Sequence, residues 1–350
     1  MLIVRPSLSS DLAAIELIAR QSPLGVTSLR APLGLLAEHI DASSAAFAGS
    51  VIATADQRYL LVLEDDSLQQ VIGVAGMVAA VGLVEPFYNY RRETLVHASR
   101  PLGIHHQVEV LSLCHDLTGA SLLHAFSILP QYMASLPAQL LCRSRLLFAA
   151  AHPERFSDQW VCELLGVCDA NGQSPLWDSL GRHFFGTDYL QAEDFCASKG
   201  RAFIAELLPQ HPIYVSLLSG AAQAALGVSH SAAQWSRDIL LGEGFSVGRY
   251  VDIFDGGPVL QARFSDLQIA RGFRRLTARV VDKLASSDSQ LLANASLRQF
   301  RAVVAPVAID SEQAEAMIEA PTARALLLES GATLLVADAG GSDAGSLDQA

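Results

Sequence analysis

The sequence has a shortage of positive charge. It contains 24 Lys and Arg residues against 36 Asp and Glu residues, which gives a formal net charge of -12 at pH 7. A protein that binds nucleic acid needs basic surface to neutralise the phosphates, so the composition argues against a nucleic-acid partner. The acidic balance mildly favours a cationic small-molecule substrate.

Cysteine is also scarce, and its spacing matches no known framework. The five cysteines are odd in number and include no Cys-x-x-Cys pair, which indicates neither a zinc site nor a set of disulfides. We expect reduced, buried thiols in a protein of the cytoplasm.

Long hydrophobic runs and targeting segments are missing as well. The longest apolar run, VIGVAGMVAAVGLV, is broken by glycines and is shorter than the ~20 residues that a membrane span needs. The amino-terminal MLIVRPSLSSDL lacks the basic and apolar parts of a secretory signal. No membrane partner is expected.

Apolar residues, in contrast, make up 51% of the 350 residues, and a chain of this length suits two lobes. Periodicity in the first part predicts the following elements: a strand at residues 2–5, the helices DLAAIELIAR and GLLAEHIDASSAAF, and a hairpin of RYLLVLED with VIGVAGMVAAVG.

The later elements follow from the same patterns. LPAQLLCRSRLLFAAA predicts a helix with Arg143 and Arg145 pointing away from its buried face. Ser174 followed by proline predicts a helix start. AFIAELLP predicts a strand that contains Glu206. Helices are expected at AAQWSRDILLGEG and SEQAEAMIEA, and residues 339–350, which carry almost no apolar side chain, should be disordered.

The densest polar chemistry lies between residues 85 and 130, among apolar segments, which is typical of a cleft for a small molecule. Tyr88, Arg91 and Arg92 could meet a substrate carboxylate, or they could form a solvated charged loop. Glu206 could pair with a guanidinium, or it could be a buried structural carboxylate.

Other kinds of site are not supported by the sequence. His105 and His106, like the run Cys114 to Asp116, offer metal-ligand types, but neighbours on a strand point to opposite faces, so no metal is expected. The Gly-x-Ser-x-Gly turn of serine hydrolases is absent. Asp255-Gly256-Gly257-Pro258 is interpreted as a turn after a strand.

Several long blocks resemble one family. EPFYNYR, TLVHASR, LCHDLTG, FIAELLPQHPIY and YVDIFDGGP, in this order, are similar to the arginine N-succinyltransferase family, the first enzymes of arginine breakdown by the succinyl route. SPLGVTSL, QVEVLSLCHDLTG and LLFAAAHPERF resemble its alpha-type subunits in particular. The resemblance extends from LIVRP to about residue 305.

This resemblance implies an α+β fold of the acyl-CoA N-acyltransferase kind, also called GNAT-like, with a mixed, mostly antiparallel sheet flanked by helices. QVEVLSLCHDLTG and SLLHAFSIL would be its splayed central strands, and LPAQLLCRSRLLFAAA the helix that receives the pyrophosphate. We expect an acyltransferase-like lobe at 1–152, a second lobe at 153–256, and a small strand-rich region at 257–338.

The resemblance also assigns site residues. The family's catalytic proton donor matches His230, which lies before a helix that Ser231 could cap. Family contacts to acyl-CoA fall on Phe126, Ser127 and Ile128, where a splayed edge would leave backbone groups free for the pantetheine arm. Tyr88, Arg91 and Glu206 remain candidates for binding the other substrate.

One loop departs from the family pattern. Catalytic relatives carry Arg-x-x-Gly-Asn-Gly before the pyrophosphate helix, whereas this chain has Met133-Ala134-Ser135-Leu136-Pro137-Ala138. Both glycines and the arginine are replaced, and proline has no N–H to donate. The loop is therefore poorly suited to holding a diphosphate at the helix start.

The expected function is transfer of succinyl from succinyl-CoA to the α-amine of arginine or ornithine, without a further cofactor. The altered loop implies that the chain works with a related beta subunit. The alternative is a scaffold or regulatory subunit of the same complex that has lost acyl-CoA binding.

Overall fold

The structure is a computed structural model, and it describes residues 1–22, 32–50, 57–169, 171–199, 204–284 and 288–340. Within these ranges fifteen strands form one continuous sheet. The strands are β1 (Leu2–Pro6), β2 (Arg58–Asp65), β3 (Gln70–Val78), β4 (Asn89–Ser99), β5 (Ile104–Cys114), β6 (Ser121–Ile128), β7 (Gln159–Glu163), β8 (Ile213–Tyr214), β9 (Ser246–Val251), β10 (Pro258–Arg263), β11 (Arg274–Val281), β12 (Asp288–Asn294), β13 (Ala302–Asp310), β14 (Glu315–Glu319) and β15 (Thr333–Ala337).

Helices cover the sheet and connect its strands. They are α1 (Leu12–Gln21), α2 (Leu33–Phe47), α3 (Ser135–Ala151), α4 (Arg182–Phe185), α5 (Tyr189–Lys199), α6 (Ile204–Leu207), α7 (Gly220–Ala225), α8 (Gln234–Glu243), α9 (Gln268–Gly272) and α10 (Ala320–Ala325). No helix among the described residues is long and apolar enough to cross a membrane.

The strand order is β12-β15-β11-β14-β13-β1-β2-β3-β6-β7-β10-β9-β4-β5-β8. Most neighbours are antiparallel, whereas β6 and β7 run parallel and are joined through α3. Their pairing extends only from Ser121 with Trp160 to Leu123 with Cys162. Beyond these pairs the two strands separate and leave a V-shaped opening near the middle of the sheet.

A bulge marks the strand on one side of this opening. The register between β3 and β6 shifts because Val74 faces Ser127 whereas Gly76 faces His124. Ala125, inside the shift, has a φ of 56°, the left-handed region that residues other than glycine rarely adopt. A bulge bends its strand and redirects neighbouring side chains, so β6 turns at the point where it leaves β7.

The amino-terminal elements confirm the predictions from periodicity. β1, α1 and α2 form where expected, and β2 pairs with β3 as an antiparallel hairpin. Helix α1 buries its predicted apolar face through Ile15, Ile18 and Ala19. The strand at QWVCE and the helix of AAQWSRDILLGEG, which ends at the left-handed Gly244, are confirmed too.

Helix α3 forms as predicted, but both of its arginines are buried, so the expectation that they point away from the core was wrong. Arg143 is 4% exposed and Arg145 is 1% exposed. The helix lies against the sheet on one side and against α8 and α9 on the other. No turn of its carboxyl-terminal two thirds reaches solvent, since residues 140–151 are all buried.

Three other predictions were wrong. QVEVLSLCHDLTG is not a central strand, because β5 pairs with β4 and β8 near the edge of the sheet, and β7 takes its place beside β6. Residues 204–207 form helix α6 instead of a strand. The SEQAEAMIEA segment forms a turn and strand β14, and the helix follows it as α10.

The carboxyl-terminal strands β11–β15 build a layer of their own around buried aliphatic residues. Phe300 is fully buried and packs edge-on against Phe148 of α3, with ring centroids 5.1 Å apart. Asp338 and Gly340 still belong to the described residues, whereas 341–350 of the expected disordered tail lie outside them. The predicted lobe boundaries at 152, 256 and 338 stay predictions.

Candidate active site

A cavity of about 1100 Å³ occupies the V-shaped opening between β6 and β7. Residues 122–128 of β6 line one side, and residues 162–165 at the end of β7 line the other. Beyond Leu123 the edge of β6 that faces β7 has no strand partner within the described residues. The cavity therefore runs along backbone that can offer hydrogen bonds to an extended ligand.

One wall of the cavity is basic. His39 of α2, Arg58 at the start of β2, His124 of β6 and Arg145 of α3 all line it. Burial, followed by the neighbouring cations, lowers the pKa of His124 to about 3, so this imidazole is neutral at physiological pH. Burial also lowers the pKa of His39, and Arg58 adds to the effect.

Arg145 is the most enclosed member of the basic wall. Its Nη1 lies 3.5 Å from the carbonyl oxygen of Gly76 and 3.4 Å from that of His124. Its Nε lies 3.3 Å from the carbonyl oxygen of Cys142, and its guanidinium stacks 5.5 Å from the ring centroid of Phe126. These partners are neutral, and the contacts to oxygen are long for charge-assisted hydrogen bonds.

The opposite wall is acidic. Glu163 follows the last buried residues of β7, Glu193 projects from α5, and Asp252 and Asp255 lie in the turn between β9 and β10. The Glu163 carboxylate accepts a hydrogen bond of 2.7 Å from the Asn89 side-chain amide. Because four carboxyl groups converge here, this wall suits a ligand with positive charge.

Asp255 is fixed by the backbone around it. One of its carboxyl oxygens accepts from the Gly166 N–H and the other from the Gly257 N–H, both at 2.7 Å. A Cβ at Gly257 would lie 2.1 Å from the Leu164 carbonyl oxygen, so the close packing requires glycine. Burial, with Asp252 adding repulsion, raises the pKa of Asp255 well above its usual value.

The residues predicted to contact acyl-CoA reach this cavity. Phe126, Ser127 and Ile128 all line it, directly after the bulge. The Ser127 hydroxyl is buried and lies 2.5 Å from the hydroxyl of Ser22, which ends α1. Their role in binding stays a prediction.

His230 lies beside the cavity without lining it, and the next residues, Ser231 to Ala233, do line it. The backbone N–H of His230 donates to the Leu165 carbonyl oxygen at 2.8 Å, which holds the residue at the end of β7. His230 itself caps the short helix, because its Nδ1 accepts from the Ala232 N–H at 3.1 Å; the expected cap was Ser231. A neutral ring with Nδ1 as acceptor carries its proton on Nε2.

The polar residues of β4 lie elsewhere. Arg91 forms ion pairs with Asp116 at 2.6 Å and Glu93 at 3.1 Å, and Arg92 pairs with Glu109 at 2.5 Å. None of these residues lines the cavity. Within this structure the arginine side chains are occupied by neighbouring carboxylates of the sheet surface.

Tyr88 and Glu206 are also outside the cavity. Tyr88 packs on the core next to β5, with its ring 6.5 Å from that of His115. Glu206 is exposed on α6, so the interpretation of a buried strand carboxylate was wrong. In the described part of the chain, no group of three or more His, Cys, Asp or Glu side chains is arranged to hold a metal ion.

The start of α3 offers few free amides. The first hydrogen bond of the helix runs from the Ala138 N–H to the Ala134 carbonyl oxygen at 3.1 Å. Pro137 has no N–H, which leaves Ser135 and Leu136 to provide backbone donors at that end. Ala134, the residue before the helix, makes no side-chain cap.

Sequence reasoning missed most of the charged lining. Arg145 lies in an apolar helical run, Glu163 ends an apolar strand, and Asp255 belongs to a segment interpreted only as a turn. The one available signal was a charged residue inside or directly after a strongly apolar segment, since burial of such a group needs a partner. Which of these residues share a cavity depends on the parallel contact of β6 with β7, which periodicity does not encode.

Comparisons with known proteins agree on one family. The family model described as "Arginine N-succinyltransferase beta subunit" matches residues 2–269, and its carboxyl-terminal domain matches residues 274–338. Arginine N-succinyltransferase subunit alpha of Pseudomonas aeruginosa is 45% identical over 325 residues, which are 91% of this chain and 96% of the relative. Arginine N-succinyltransferase of Photorhabdus laumondii subsp. laumondii is 38% identical over 89% of this chain and 92% of its own length.

A solved structure gives the same answer. The structure of arginine/ornithine succinyltransferase subunit AI from Pseudomonas aeruginosa matches with a TM-score of 0.90 and 41% identity, over 97% of this chain and 99% of that chain. Sequence and fold therefore agree over almost the whole length, and the family predicted from the motif blocks is confirmed. This chain belongs to the arginine N-succinyltransferase family.

Proposed function

We propose that the chain is the alpha-type subunit of an arginine/ornithine N-succinyltransferase of the cytoplasm. It transfers succinyl from succinyl-CoA to the α-amine of arginine and releases N2-succinylarginine and CoA. The single observation that carries this proposal is the cavity between β6 and β7, which has a basic wall and an acidic wall in a chain of this family.

The charges of the two walls fit the two substrates. The cationic side chain of arginine or ornithine would lie toward Glu163, Glu193 and Asp252, where opposite charge favours it. The acyl chain of the donor ends in a carboxylate, which is complementary to the basic wall. A cavity of about 1100 Å³ can hold an amino acid together with the end of the donor.

The strand geometry supports an acyl-CoA N-acyltransferase type of fold. In that fold two parallel strands separate and admit the pantetheine arm of the acyl donor. The helix that connects them follows the strand that contacts this arm. β6, α3 and β7 have this order here, with the bulge at Ala125 where the strands part. Phe126, Ser127 and Ile128 would then contact the arm.

Succinyl transfer requires a neutral amine, stabilisation of the oxyanion and a proton for the departing thiolate. His230 is our candidate for the last role. Its Nδ1 is held by the Ala232 N–H, so Nε2 is the ring nitrogen left for the substrates. The hydrogen bond from the backbone N–H of His230 to the Leu165 carbonyl oxygen holds His230 at the end of β7, next to the cavity.

A variant of His230 tests the proposal. In the complex assembled with a beta-type partner, His230→Ala should lower kcat with succinyl-CoA and arginine about 100-fold or more, because a positioned proton donor contributes at least that much. CoA release is measured continuously by thiol detection. His105→Ala, which removes an exposed imidazole of β5 that does not line the cavity, serves as the control.

The alternative of a scaffold subunit rests on the replaced loop at Met133 to Ala138. A scaffold has no need for a polar cavity of this size, so the retained walls favour the catalytic proposal. Unchanged turnover in the His230→Ala complex would support the scaffold. Succinyl-CoA turnover at an ordinary enzyme rate by the purified chain alone would instead contradict the need for a partner.

A further inference from the structure

Two arginines of α3 have similar burial and different partners. Arg143 forms an ion pair of 2.5 Å with Glu243 of α8 and donates to the Asp338 carbonyl oxygen at 2.7 Å. Arg145 lies two residues further along the helix and is 1% exposed. It takes part in no ion pair with any described residue. Arg143 is thus a structural cation, whereas Arg145 is a buried cation without a counter-ion.

Burial of an unpaired charge is costly unless something compensates it. Carbonyl oxygens of Gly76, His124 and Cys142 provide weak compensation at 3.3 to 3.5 Å. Arg145 also lines the cavity, so an anionic ligand there could pair with its guanidinium. A planar guanidinium matches a carboxylate in a two-pronged arrangement.

The position of Arg145 indicates which substrate carboxylate fits beside it. It lies under β6, between the carbonyl of His124 and the ring of Phe126, which is the strand proposed to contact the donor. The groups suited to the amino acid's cationic side chain, Glu163 and Asp252 among them, line the opposite wall. Resting on the proposed function, this arrangement places the acyl end of the donor at Arg145.

We infer that Arg145 binds the free carboxylate of the succinyl group and makes the enzyme selective for a dicarboxylic acyl donor. An acyl group that lacks this carboxylate leaves the guanidinium buried and unpaired, so such a donor is rejected. A site built to pair with a ligand group discriminates strongly against analogues without it.

Donor selectivity gives the test. Butyryl-CoA has the same four-carbon chain as succinyl-CoA and lacks the terminal carboxylate. In the assembled complex, the wild type should prefer succinyl-CoA over butyryl-CoA by about 100-fold or more in kcat/KM. Arg145→Gln should reduce this preference to within about tenfold of unity, because the carboxylate then has no cationic partner.

The ratio of two donors is measured on the same preparation, so a loss of folded protein cancels. Arg145→Met is the second variant, because an apolar side chain removes the buried charge and keeps much of the volume. Arg143→Gln is the matched control on the same helix. It should lose stability through the Glu243 pair while it keeps the donor preference of the wild type.

Arg145 could instead bind the α-carboxylate of the acceptor amino acid. The ratio of kcat/KM for arginine over agmatine distinguishes this carboxylate from that of the donor. Agmatine is arginine without the α-carboxylate. If Arg145→Gln abolishes the preference for arginine over agmatine and keeps the donor preference, the inference is overturned. Retention of both ratios in both Arg145 variants overturns it as well.

The inference and the proposed function fail in different ways. A wild-type complex that releases no CoA from succinyl-CoA and arginine would overturn the proposed function and, with it, the inference. A wild-type complex that is active, with an Arg145→Gln variant that still rejects butyryl-CoA, would overturn the inference alone.

Discussion

At the scale of single residues, the site combines charged groups whose local surroundings differ sharply. Asp255 is buried and held by two backbone N–H groups, yet burial and the nearby Asp252 raise its pKa. The two hydrogen bonds favour the charged form, and desolvation, the larger effect, opposes it. Asp255 therefore keeps its proton to a higher pH in the folded chain than in the unfolded chain.

This difference predicts a pH dependence of stability. Unfolding releases the Asp255 proton at any pH between the unfolded and folded pKa values, so the free energy of unfolding falls as pH rises through that interval. One proton contributes up to about 1.4 kcal/mol per pH unit. In urea unfolding from pH 4.5 upward, the free energy of unfolding of Asp255→Asn should decrease less with pH than that of the wild type.

Asp66→Asn is the control for this measurement, because Asp66 lies on an exposed turn. It removes one exposed carboxyl group by the same substitution, so it is the reference for the slope of Asp255→Asn. A slope in Asp255→Asn equal to that of the wild type would show that Asp255 ionises in the folded chain as it does in the unfolded chain.

Single residues were also where the sequence was least informative. His230 was predicted through the family blocks, and Phe126 to Ile128, which were predicted to contact acyl-CoA, line the cavity. Both roles stay predictions. Arg145 was placed on the wrong face because helical periodicity ranks a charged residue as exposed. Only its neighbours from β3 and β6, far away in sequence, reveal the enclosed position.

At the scale of secondary-structure elements, local sequence patterns predicted the helices and strands well and the pairing of the strands poorly. α1, α2, α3 and the β2–β3 hairpin follow from amphipathic periodicity and short turns. AFIAELLP was wrong because a short apolar run fits a strand and a helix equally. The wrong partner for β6 has another cause, since pairing with β7 joins segments separated by all of α3.

The start of α3 gives a prediction at this scale. Met133→Arg, Leu136→Gly, Pro137→Asn and Ala138→Gly together restore the family's Arg-x-x-Gly-Asn-Gly loop. The combined variant gains an N–H, a cation and space at the helix start, so the isolated chain should bind coenzyme A about tenfold more tightly or better. Isothermal titration calorimetry measures this affinity.

Met133→Arg alone is the control, because it adds the charge without the amides or the space. We expect it to recover only a small part of the gain. Equal affinity of the combined variant and the unmodified chain would contradict the view that this loop limits coenzyme A binding.

At the scale of the whole molecule, α3 joins the cavity to the carboxyl-terminal strands. One side of the helix carries Arg145 at the cavity, and Phe148, one turn later, packs against Phe300 from the loop before β13. Arg275 of β11 donates to the Ala151 carbonyl oxygen at 2.9 Å, which fixes the end of the same helix. These contacts predict that the chain unfolds as one unit.

Phe300→Ala tests that prediction. The variant should lower the free energy of unfolding by about 3–5 kcal/mol through the lost burial and the cavity left behind. Far-ultraviolet circular dichroism and tryptophan fluorescence should still give one coincident transition during denaturation. Leu327→Ala, at an exposed position of the same region, is the control. Two separated transitions would indicate that the carboxyl-terminal strands fold independently.

The short parallel contact of β6 with β7 has a mechanical consequence. Nine strands lie on one side of it and six on the other, and three registered residue pairs connect the two wings across the sheet. Past those pairs the two strands separate, and a substrate bound in the cavity would contact both parts of the sheet. Binding in the proposed site would therefore add contacts between the two parts of the sheet that the strands themselves do not make.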